Sequence, residues 1–476
     1  MESLFFAMNK SNTASPHPGP LPTDVGRGSL VSFARVVPDL LAGKLTPRDL
    51  LERCLERIDA RESEVKAFVV LNTDAARAAA DAATARYRAG MPLSMVDGCP
   101  VGIKDIMDTC DLPTQMGSPA FKGWQPAYDA ACVQALRQGG AVIVGKTVTT
   151  AFACGATNVT RNPHDATRTP GGSSSGSGAA VGAGMLPVAL GTQTQGSLLR
   201  PAAYCGAVGF KPTHGVLPMQ GVHPISATHD HLGAIGATLD DTWRIASHIS
   251  LAQGNPGQPF LDGAAVAPPP AVKPRRLIRL YLRAWETEVA AATRDAFEAF
   301  IEKLKFAGVE IIDRKSNPNI GEFERALDSG FIERSIEITT YEMKWPYAQY
   351  LPKFGGLLEK RVLDRIAHAV RMTPAHYTGL LADKQAMREL ARKTLAGSDG
   401  FITLTAPGPA PVAHDHTGSR AYQVQATFLG YPAFSLPLLT VDCMPLGVQL
   451  IGMAGADGAL AATANWMMAT MKSGDG

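Results

Sequence analysis

Apolar and polar positions follow a helical spacing in the first part of the chain. Between residues 35 and 60, leucine and isoleucine recur every three to four positions. Within that stretch, Thr46 and Pro47 offer an N-cap followed by proline at the first helical position. Residues 74–89 are rich in alanine, which is a strong helix former. The pattern therefore predicts helices over 35–60 and 74–89.

From about residue 98 the pattern changes to short apolar runs separated by helical stretches. The runs that predict strands are 100–103, 141–144, 188–190 and 208–210. The surrounding region, 98–240, is rich in Gly, Ser and Thr, as loops that position reactive groups often are. This alternation is typical of an α/β layer protein.

A linker and a long helical region follow. Residues 253–276 contain three consecutive prolines and predict the linker, and residues 277–400 are charged, amphipathic and mostly helical. Strand-like apolar runs return at 401–452, and we expect them to join the same sheet as the earlier strands. The helical region between is then a cover over the α/β body.

These boundaries predict one folded domain. Ser, Pro and Gly concentrate in residues 1–30, which are expected to be a flexible N-terminal lead-in. Residues 31–476 are expected to form a single domain whose core comes from 31–250 and 400–476. The hydrophobic fraction of 45% in 476 residues is ample for a large buried core.

Composition argues against several classes of protein. The formal net charge is +2, without the basic excess or stripe typical of nucleic-acid binding. No run of 18 apolar residues and no signal peptide is evident, so no membrane association is expected. The seven cysteines are irregularly spaced and include no CxxC pair. They predict reduced thiols and a cytoplasmic protein.

The segment from Pro170 to Gly178 is the most informative part of the sequence, and generic motifs compete for its neighbourhood. Residues 172–176 match the G-x-S-x-G elbow of α/β-hydrolases, but a loop precedes them where the elbow needs a strand. Residues 140–147 match the P-loop pattern, but their Ala-Val-Ile-Val stretch favours a strand over a phosphate cradle. A third interpretation of the segment is a glycine-rich linker. The apolar, Ala-rich stretch that follows it favours a buried helix instead, with the glycines allowing close backbone approach.

Several short segments together carry a resemblance to a known family. They are 101–105, 145–147, 171–177, 191–197, 201–203, 205–206, 209–213, 430–437 and 445–452. On these segments the chain resembles the amidase-signature family of hydrolases, over roughly residues 35–240 and 400–465. The resemblance implies an α/β fold with a single large mixed β-sheet covered by helices on both faces. It also implies acyl transfer to a serine followed by hydrolysis.

The resemblance assigns three residues to a triad, and their chemistry is consistent. Ser197 takes the position of the nucleophile, Ser173 that of the bridging serine on a cis peptide bond, and Lys104 that of the base. Neither glycine-serine loop contains the histidine that most serine hydrolases use. Lys104 follows an apolar strand end, where burial lowers the pKa of an ammonium from about 10.4. A salt bridge to Asp105 or Asp108 is the structural alternative for this lysine.

The loop before the nucleophile suggests how the substrate is held. The backbone N–H groups of Thr194, Gln195 and Gly196, with that of the serine itself, predict an oxyanion hole. Gly172 and Arg200 are candidate substrate contacts. Arg200 is a candidate for binding an acidic substrate group, although a structural ion pair is the favoured interpretation.

Two further expectations concern the pocket wall. The family often has glycine at the position of Gln195, so this side chain is expected to line or narrow the pocket. Aromatic residues in the helical cover also lead us to expect an apolar pocket. They are Phe331, Tyr341, Trp345, Tyr347 and Tyr350.

Metal chemistry is the competing hypothesis. The runs 229–231 and 414–416 both read His-Asp-His, and a zinc site combining them stays open. A structural role for the first run is favoured, and we expect neither a metal nor a cofactor.

The sequence therefore predicts a hydrolase that cleaves an amide-like C–N bond with water. A small-molecule amide, a carbamate (urethane) or an ester is the expected substrate, with no nucleic-acid partner. An amidotransferase-type subunit that delivers ammonia to a partner enzyme is the alternative. A non-catalytic paralogue and a homodimer are also left open.

Overall fold

A computed structural model describes residues 30–471, which form an eleven-stranded mixed sheet with helices around it. The strands are β1 (Phe68–Leu71), β2 (Pro100–Lys104), β3 (Val142–Thr147), β4 (Val188–Gln193), β5 (Val208–Lys211), β6 (His231–Gly236), β7 (Arg276–Arg279), β8 (Glu310–Ile312), β9 (Phe401–Leu404), β10 (Ala433–Val441) and β11 (Met444–Ile451). The predicted lead-in falls almost wholly on residues 1–29, outside the described residues.

Sixteen α-helices lie in the same described range. They are α1 (Phe33–Leu41), α2 (Pro47–Val65), α3 (Thr73–Arg88), α4 (Ala131–Gln138), α5 (Ser175–Gly182), α6 (Leu199–Tyr204), α7 (Leu239–Ala252), α8 (Arg283–Thr287), α9 (Ala291–Phe306), α10 (Pro318–Asp328), α11 (Phe331–Glu342), α12 (Lys344–Phe354), α13 (Lys360–Arg371), α14 (Pro374–Leu395), α15 (Val424–Leu429) and α16 (Asp457–Met471). Within residues 30–471, none of them is both long and apolar enough to cross a membrane.

The sheet confirms the predicted α/β architecture. Its strand order is β1-β3-β2-β4-β6-β5-β10-β11-β9-β7-β8. Pairing is parallel within β3-β2-β4 and within β9-β7-β8, and antiparallel elsewhere. Every residue of β2 to β6 is buried, although alternate side chains of a strand point to opposite faces. Both faces of this part of the sheet are therefore covered.

The strands from residues 401–452, which are β9, β10 and β11, lie within the sheet, between β5 and β7. β10 pairs with β5, where Ala433 faces Lys211, and it also pairs with β11. The prediction that residues 401–452 join the early strands is therefore confirmed. The cover region is mostly helical as predicted, but its first part adds β7 and β8 next to β9.

The helix predicted over 35–60 is in fact two helices. α1 ends at Leu41, and α2 begins at Pro47 behind the N-cap Thr46. The backbone N–H of Asp49 donates to the Thr46 hydroxyl, and the Asp49 carboxylate accepts from the backbone N–H of Thr46. This capping box confirms the predicted helix start. Gly43, with φ at +68°, bends the chain just before it.

Candidate active site

A cavity of about 530 Å³, counting its open mouth, collects most of the residues that the sequence singled out. Its wall is formed by Thr150, Ala153, Cys154, Gly155, Ser173, Thr194, Gln195, Gly196, Ser197, Arg200, Ile225, Thr339, Arg361, Arg365, Thr417 and Arg420. The two predicted serines and the three predicted oxyanion-hole residues therefore line one cavity.

Lys104 lies directly behind this cavity. It is the last residue of β2 and is fully buried. Its Nζ lies 2.7 Å from Ser173 Oγ and 2.8 Å from Thr192 Oγ1, donating to both. Burial lowers the pKa of Lys104 to about 7, and the nearby charge of Asp230 opposes part of that shift. A large fraction of this lysine is therefore uncharged at neutral pH.

The salt-bridge alternative for Lys104 is not what the structure contains. Asp105 pairs instead with the buried Lys146, at 3.4 Å. The Nζ of Lys146 also donates to the carbonyl of Met107 at 2.8 Å and to the hydroxyl of Thr114 at 2.6 Å. Lys146 thus serves to fix a loop. Residues 142–147 of the P-loop match form strand β3, so they do not form a phosphate-binding loop.

Ser173 is held by the glycine-serine segment that precedes α5. The peptide bond between Gly172 and Ser173 is cis, as the resemblance implied. No strand immediately precedes the segment, so the nucleophile-elbow interpretation fails. A Cβ added to Gly176 would lie 2.2 Å from the carbonyl oxygen of Ala67 and 2.3 Å from the backbone nitrogen of Val148. These glycines therefore allow close backbone approach, as expected.

Ser197 lies in the turn between β4 and α6. The backbone N–H groups of Leu198 and Leu199 donate to the Gln193 side-chain oxygen at 3.2 and 3.0 Å, which fixes the turn. Within residues 30–471, the backbone N–H groups of Thr194, Gln195, Gly196 and Ser197 have no hydrogen-bond acceptor. They remain available to a bound oxyanion.

Gly196 packs closely against the side chain of Gln423. A Cβ there would lie 2.6 Å from the side-chain oxygen of Gln423. Gln195 has an ordinary negative φ, and its side-chain oxygen accepts from Arg420, so this side chain does line the cavity as expected.

Asp230 supports the loop from behind and was not identified as a site residue from the sequence. Its carboxylate accepts from the Thr194 hydroxyl at 2.7 Å and from the backbone N–H groups of Ile225 and Ser226 at 2.8 and 2.9 Å. Burial raises the pKa of Asp230 to about 6. The His-Asp-His run was its only signal, and there the two histidines are the more conspicuous residues.

The zinc hypothesis for the two His-Asp-His runs gains no support from their placement. The ring Nδ1 of His231 bonds to the carbonyl of His229 at 2.6 Å. In the described part of the chain, the group of three potential ligands that come close together is Cys110, Asp111 and Asp129. Arg137 already pairs with both of those carboxylates.

Arg200 is held by neutral groups. Its guanidinium donates to the carbonyls of Gly172 at 2.6 Å, Gly418 at 3.2 Å and Ser419 at 3.1 Å, and to the hydroxyl of Thr417 at 2.8 Å. These neutral contacts anchor the side chain, and among the described residues Arg200 does not form the ion pair that was favoured. Gly172 lies beside the cavity and contributes its carbonyl to this network, while Arg200 reaches the wall itself.

The expectation of an apolar pocket is wrong. Among the described residues, four arginines and no Asp or Glu line the cavity. The aromatic residues of the cover pack elsewhere. Tyr347 is buried against Phe152, Tyr341 stacks on Tyr377, and Trp345 is 70% exposed. Helical spacing alone could not separate aromatic side chains that pack between helices from those facing a cavity.

Known proteins with a similar sequence or fold are consistent with the geometry of this site. The family model described as "Amidase" matches residues 49–461. A glutamyl-tRNA(Gln) amidotransferase subunit from Chloroflexus aggregans (strain MD-66 / DSM 9485) is 31% identical over 459 residues, covering 87% of this chain and 91% of the relative.

Two solved structures share the fold over most of their length. A crystal structure of an amidase superposes with a TM-score of 0.81 at 28% identity, covering 93% of this chain and 100% of the other. The native peptide amidase from Stenotrophomonas maltophilia gives a TM-score of 0.77 at 26% identity, covering 93% and 97%.

Proposed function

Because the chain belongs to the amidase family, whose model matches residues 49–461, we propose that it hydrolyses an amide-like C–N bond through Ser197, Ser173 and Lys104. One observation carries the proposal. A fully buried lysine whose pKa lies near 7 contacts Ser173, and Ser173 lines the same cavity as Ser197. A lysine that is neutral at working pH can act as a general base.

The chemical steps follow from this arrangement. Ser197 Oγ attacks the carbonyl carbon, its proton passes to Ser173 Oγ, and the proton of Ser173 passes to neutral Lys104. The tetrahedral intermediate collapses as the relay returns the proton to the leaving nitrogen, which breaks the C–N bond. Water then attacks the acyl-enzyme by the same relay and releases the acid. The 2.7 Å contact between Lys104 and Ser173 is short enough for direct transfer.

Stabilisation of the developing oxyanion is assigned to the free backbone N–H groups at 194–197, while the Thr194 hydroxyl fixes the loop through Asp230. Such donors are typically worth about 3 kcal/mol each. The same chemistry serves a small-molecule amide, a carbamate or an ester, since each passes through a tetrahedral intermediate. We expect an amide to depend most on the relay, because its nitrogen must be protonated to leave.

An amidotransferase-type subunit that passes ammonia to a partner is the second candidate. It is favoured by the relative from Chloroflexus aggregans, whose name describes one subunit of such an enzyme. An amino-acid amide such as glutamine would carry an α-ammonium group into the site as ammonia donor. In the described chain no carboxylate lines the cavity to receive that group, which argues for hydrolysis of a different amide.

The test is hydrolysis of an anilide, an aliphatic amide, an aryl ester and an aryl carbamate by the purified chain alone. We expect turnover, and a loss of about a thousandfold or more in Ser197→Ala, Ser173→Ala and Lys104→Ala. Ser175→Ala is the matched control, because its hydroxyl makes only a 3.3 Å contact with a backbone carbonyl. Full activity in Ser197→Ala would refute the mechanism. Activity that appears only with a copurifying protein would favour the amidotransferase.

A further inference from the structure

Four arginines converge on the cavity, and their partners are all neutral. Arg200 comes from α6, Arg361 and Arg365 from α13, and Arg420 from the segment before α15. None of the four makes a salt bridge with another described residue. Arginine beside a cavity normally pairs with a carboxylate, so this concentration of positive charge requires an explanation.

The four arginines differ in how many of their guanidinium N–H groups already have a hydrogen-bond acceptor. Those of Arg200 are largely taken by backbone carbonyls and the Thr417 hydroxyl. Arg365 donates to the hydroxyls of Thr339 and Thr340, at 2.9 and 3.3 Å from Nη2. Arg361 makes no hydrogen bond to any described residue and is exposed at the mouth.

Arg420, from the segment before α15, is the fourth arginine at the cavity. It donates through Nη1 to the Gln195 side-chain oxygen and has further N–H groups. Free donors therefore remain on Arg361, Arg365 and Arg420, while Arg200 supports the wall.

The four charges also act on one another. Burial lowers the pKa of Arg420 to about 10, and the charges of Arg361 and Arg365 contribute to that shift. Burial likewise lowers the pKa of Arg200 to about 10, with Arg420 and Arg361 adding to the effect. Like charges near a partly desolvated space repel one another, and a bound anion would relieve that repulsion.

We propose that the substrate carries a carboxylate, which Arg361, Arg365 and Arg420 bind at the mouth of the cavity while Ser197 attacks the amide carbonyl. This inference rests on the proposed function and specifies its substrate class. The class is the monoamide of a short dicarboxylic acid, without an α-ammonium group. Guanidinium groups bind carboxylates by paired, charge-assisted hydrogen bonds, and Arg361 and Arg365, four residues apart, share one face of α13.

Binding can be measured without catalysis. Ser197→Ala protein is titrated calorimetrically with succinate and, separately, with the neutral analogue succinamide. We expect succinate to bind and succinamide to bind at least about tenfold more weakly, since only the first supplies charge-assisted hydrogen bonds. Arg361→Gln or Arg365→Gln, each added to Ser197→Ala, should weaken succinate binding at least about tenfold. Arg371→Gln is the matched control, an exposed arginine at the other end of α13.

The outcomes separate this inference from the proposed mechanism. Equal binding of succinate and succinamide, or unchanged succinate binding in both arginine variants, would overturn the carboxylate site. Tighter binding of inorganic phosphate than of succinate would overturn the carboxylate assignment as well. Failure of the hydrolase mechanism would appear elsewhere, as unchanged turnover in Ser197→Ala, because the calorimetric measurement involves no bond cleavage.

Activity provides the second measurement. The parent chain should hydrolyse succinamate with a higher kcat/KM than succinamide, and Arg361→Gln should lower that ratio at least about tenfold. A ratio near one in the parent chain would contradict the inference even if both amides were hydrolysed.

Discussion

At the scale of single residues, the proposed chemistry depends on how Lys104 is surrounded. The side chain has no exposed surface and contacts two hydroxyl oxygens, from Ser173 and Thr192. An ammonium loses much of its hydration there, and two neutral hydroxyls restore only part of it. The result is a base placed beside a serine hydroxyl without a histidine.

The pH dependence of activity follows from the lowered pKa of Lys104. Below pH 7 the lysine gains a proton and loses the lone pair that accepts from Ser173. We therefore expect kcat/KM to fall about tenfold per pH unit below about pH 7, and to level off above it. The measurement is a pH profile between about 5 and 9 on a neutral amide. Asp230, with a pKa raised to about 6, is the nearby group that can add a second inflection. A flat profile down to about pH 5 would argue against Lys104 as the base.

Thr192 was not among the predicted site residues, and its contact with Lys104 predicts a positioning role. Its hydroxyl oxygen accepts from Lys104 at 2.8 Å. Thr192→Val keeps the side-chain shape and removes this acceptor, so we expect kcat to fall about tenfold, corresponding to one hydrogen bond of about 1.4 kcal/mol. Because the ammonium loses an acceptor, the midpoint of the pH profile should move to lower pH.

Thr192→Ser is the matched control for that experiment, since it restores the hydroxyl without the methyl group. We expect it to recover most of the activity and the parental midpoint. A loss of activity with an unmoved midpoint in Thr192→Val would indicate a purely structural role.

The sequence predicted some site residues and not others for a physical reason. Lys104, Ser173 and Ser197 lie in short motifs whose residue types indicate their chemistry. Thr192 lies inside the 191–197 segment and Asp230 contacts that segment through Thr194, but neither residue type indicates its contact without the fold. The cavity arginines come from three separate segments, so only the folded chain brings them together.

At the scale of elements, α5 is defined by how closely it approaches its neighbours. Gly176 packs against the backbone of Ala67 and Val148, and a Cβ on Gly182 would lie 2.3 Å from the carbonyl oxygen of Cys205. The helix therefore depends on glycine, although glycine is a poor helix former. This close packing holds Ser173, just before the helix, against the end of β2.

We expect Gly176→Ala to destabilise the chain by about 3 kcal/mol or more, because the backbone atoms of Ala67 and Val148 cannot yield to the added methyl group. Gly379→Ala is the matched control. Gly379 lies within α14, with nothing within 4 Å of an added Cβ. That substitution should stabilise the chain by up to about 1 kcal/mol, through helix propensity. The measurement is the denaturant midpoint of both variants. Equal stability of the two would show that α5 is not closely packed.

The bounds of the helices and strands show where the apolar pattern of the sequence was sufficient to predict them. Strong signals such as the N-cap at Thr46 and the apolar run of β3 were predicted correctly. The short strands β7 and β8 were missed, because four and three residues carry too little pattern to stand out from a helical region. The range 35–60 was predicted as helix without a break, although the N-cap at Thr46 lies within it and marks the start of α2.

At the scale of the whole molecule, the order of strands in the sheet differs from their order along the chain. The three proposed triad residues all precede position 200, yet β10 and β11 join the early strands to β9, β7 and β8. The proposed hydrolytic site, built from the first half of the chain, therefore shares its sheet with strands from the last quarter. This arrangement supports the prediction that residues 31–476 form one domain.

Whether the site depends on those strands can be tested by truncation. A chain ending at residue 400 keeps Lys104, Ser173 and Ser197 but lacks β9, β10 and β11. It would expose the edge of β5 and separate β7 and β8 from the rest of the sheet. We expect it to show no cooperative thermal unfolding and no turnover, whereas the full chain unfolds in one transition. A truncated chain that unfolds cooperatively and hydrolyses an amide would mean that residues 31–400 fold independently. The single-domain prediction would then be wrong, because the late strands would be an addition to a self-sufficient core and not part of it.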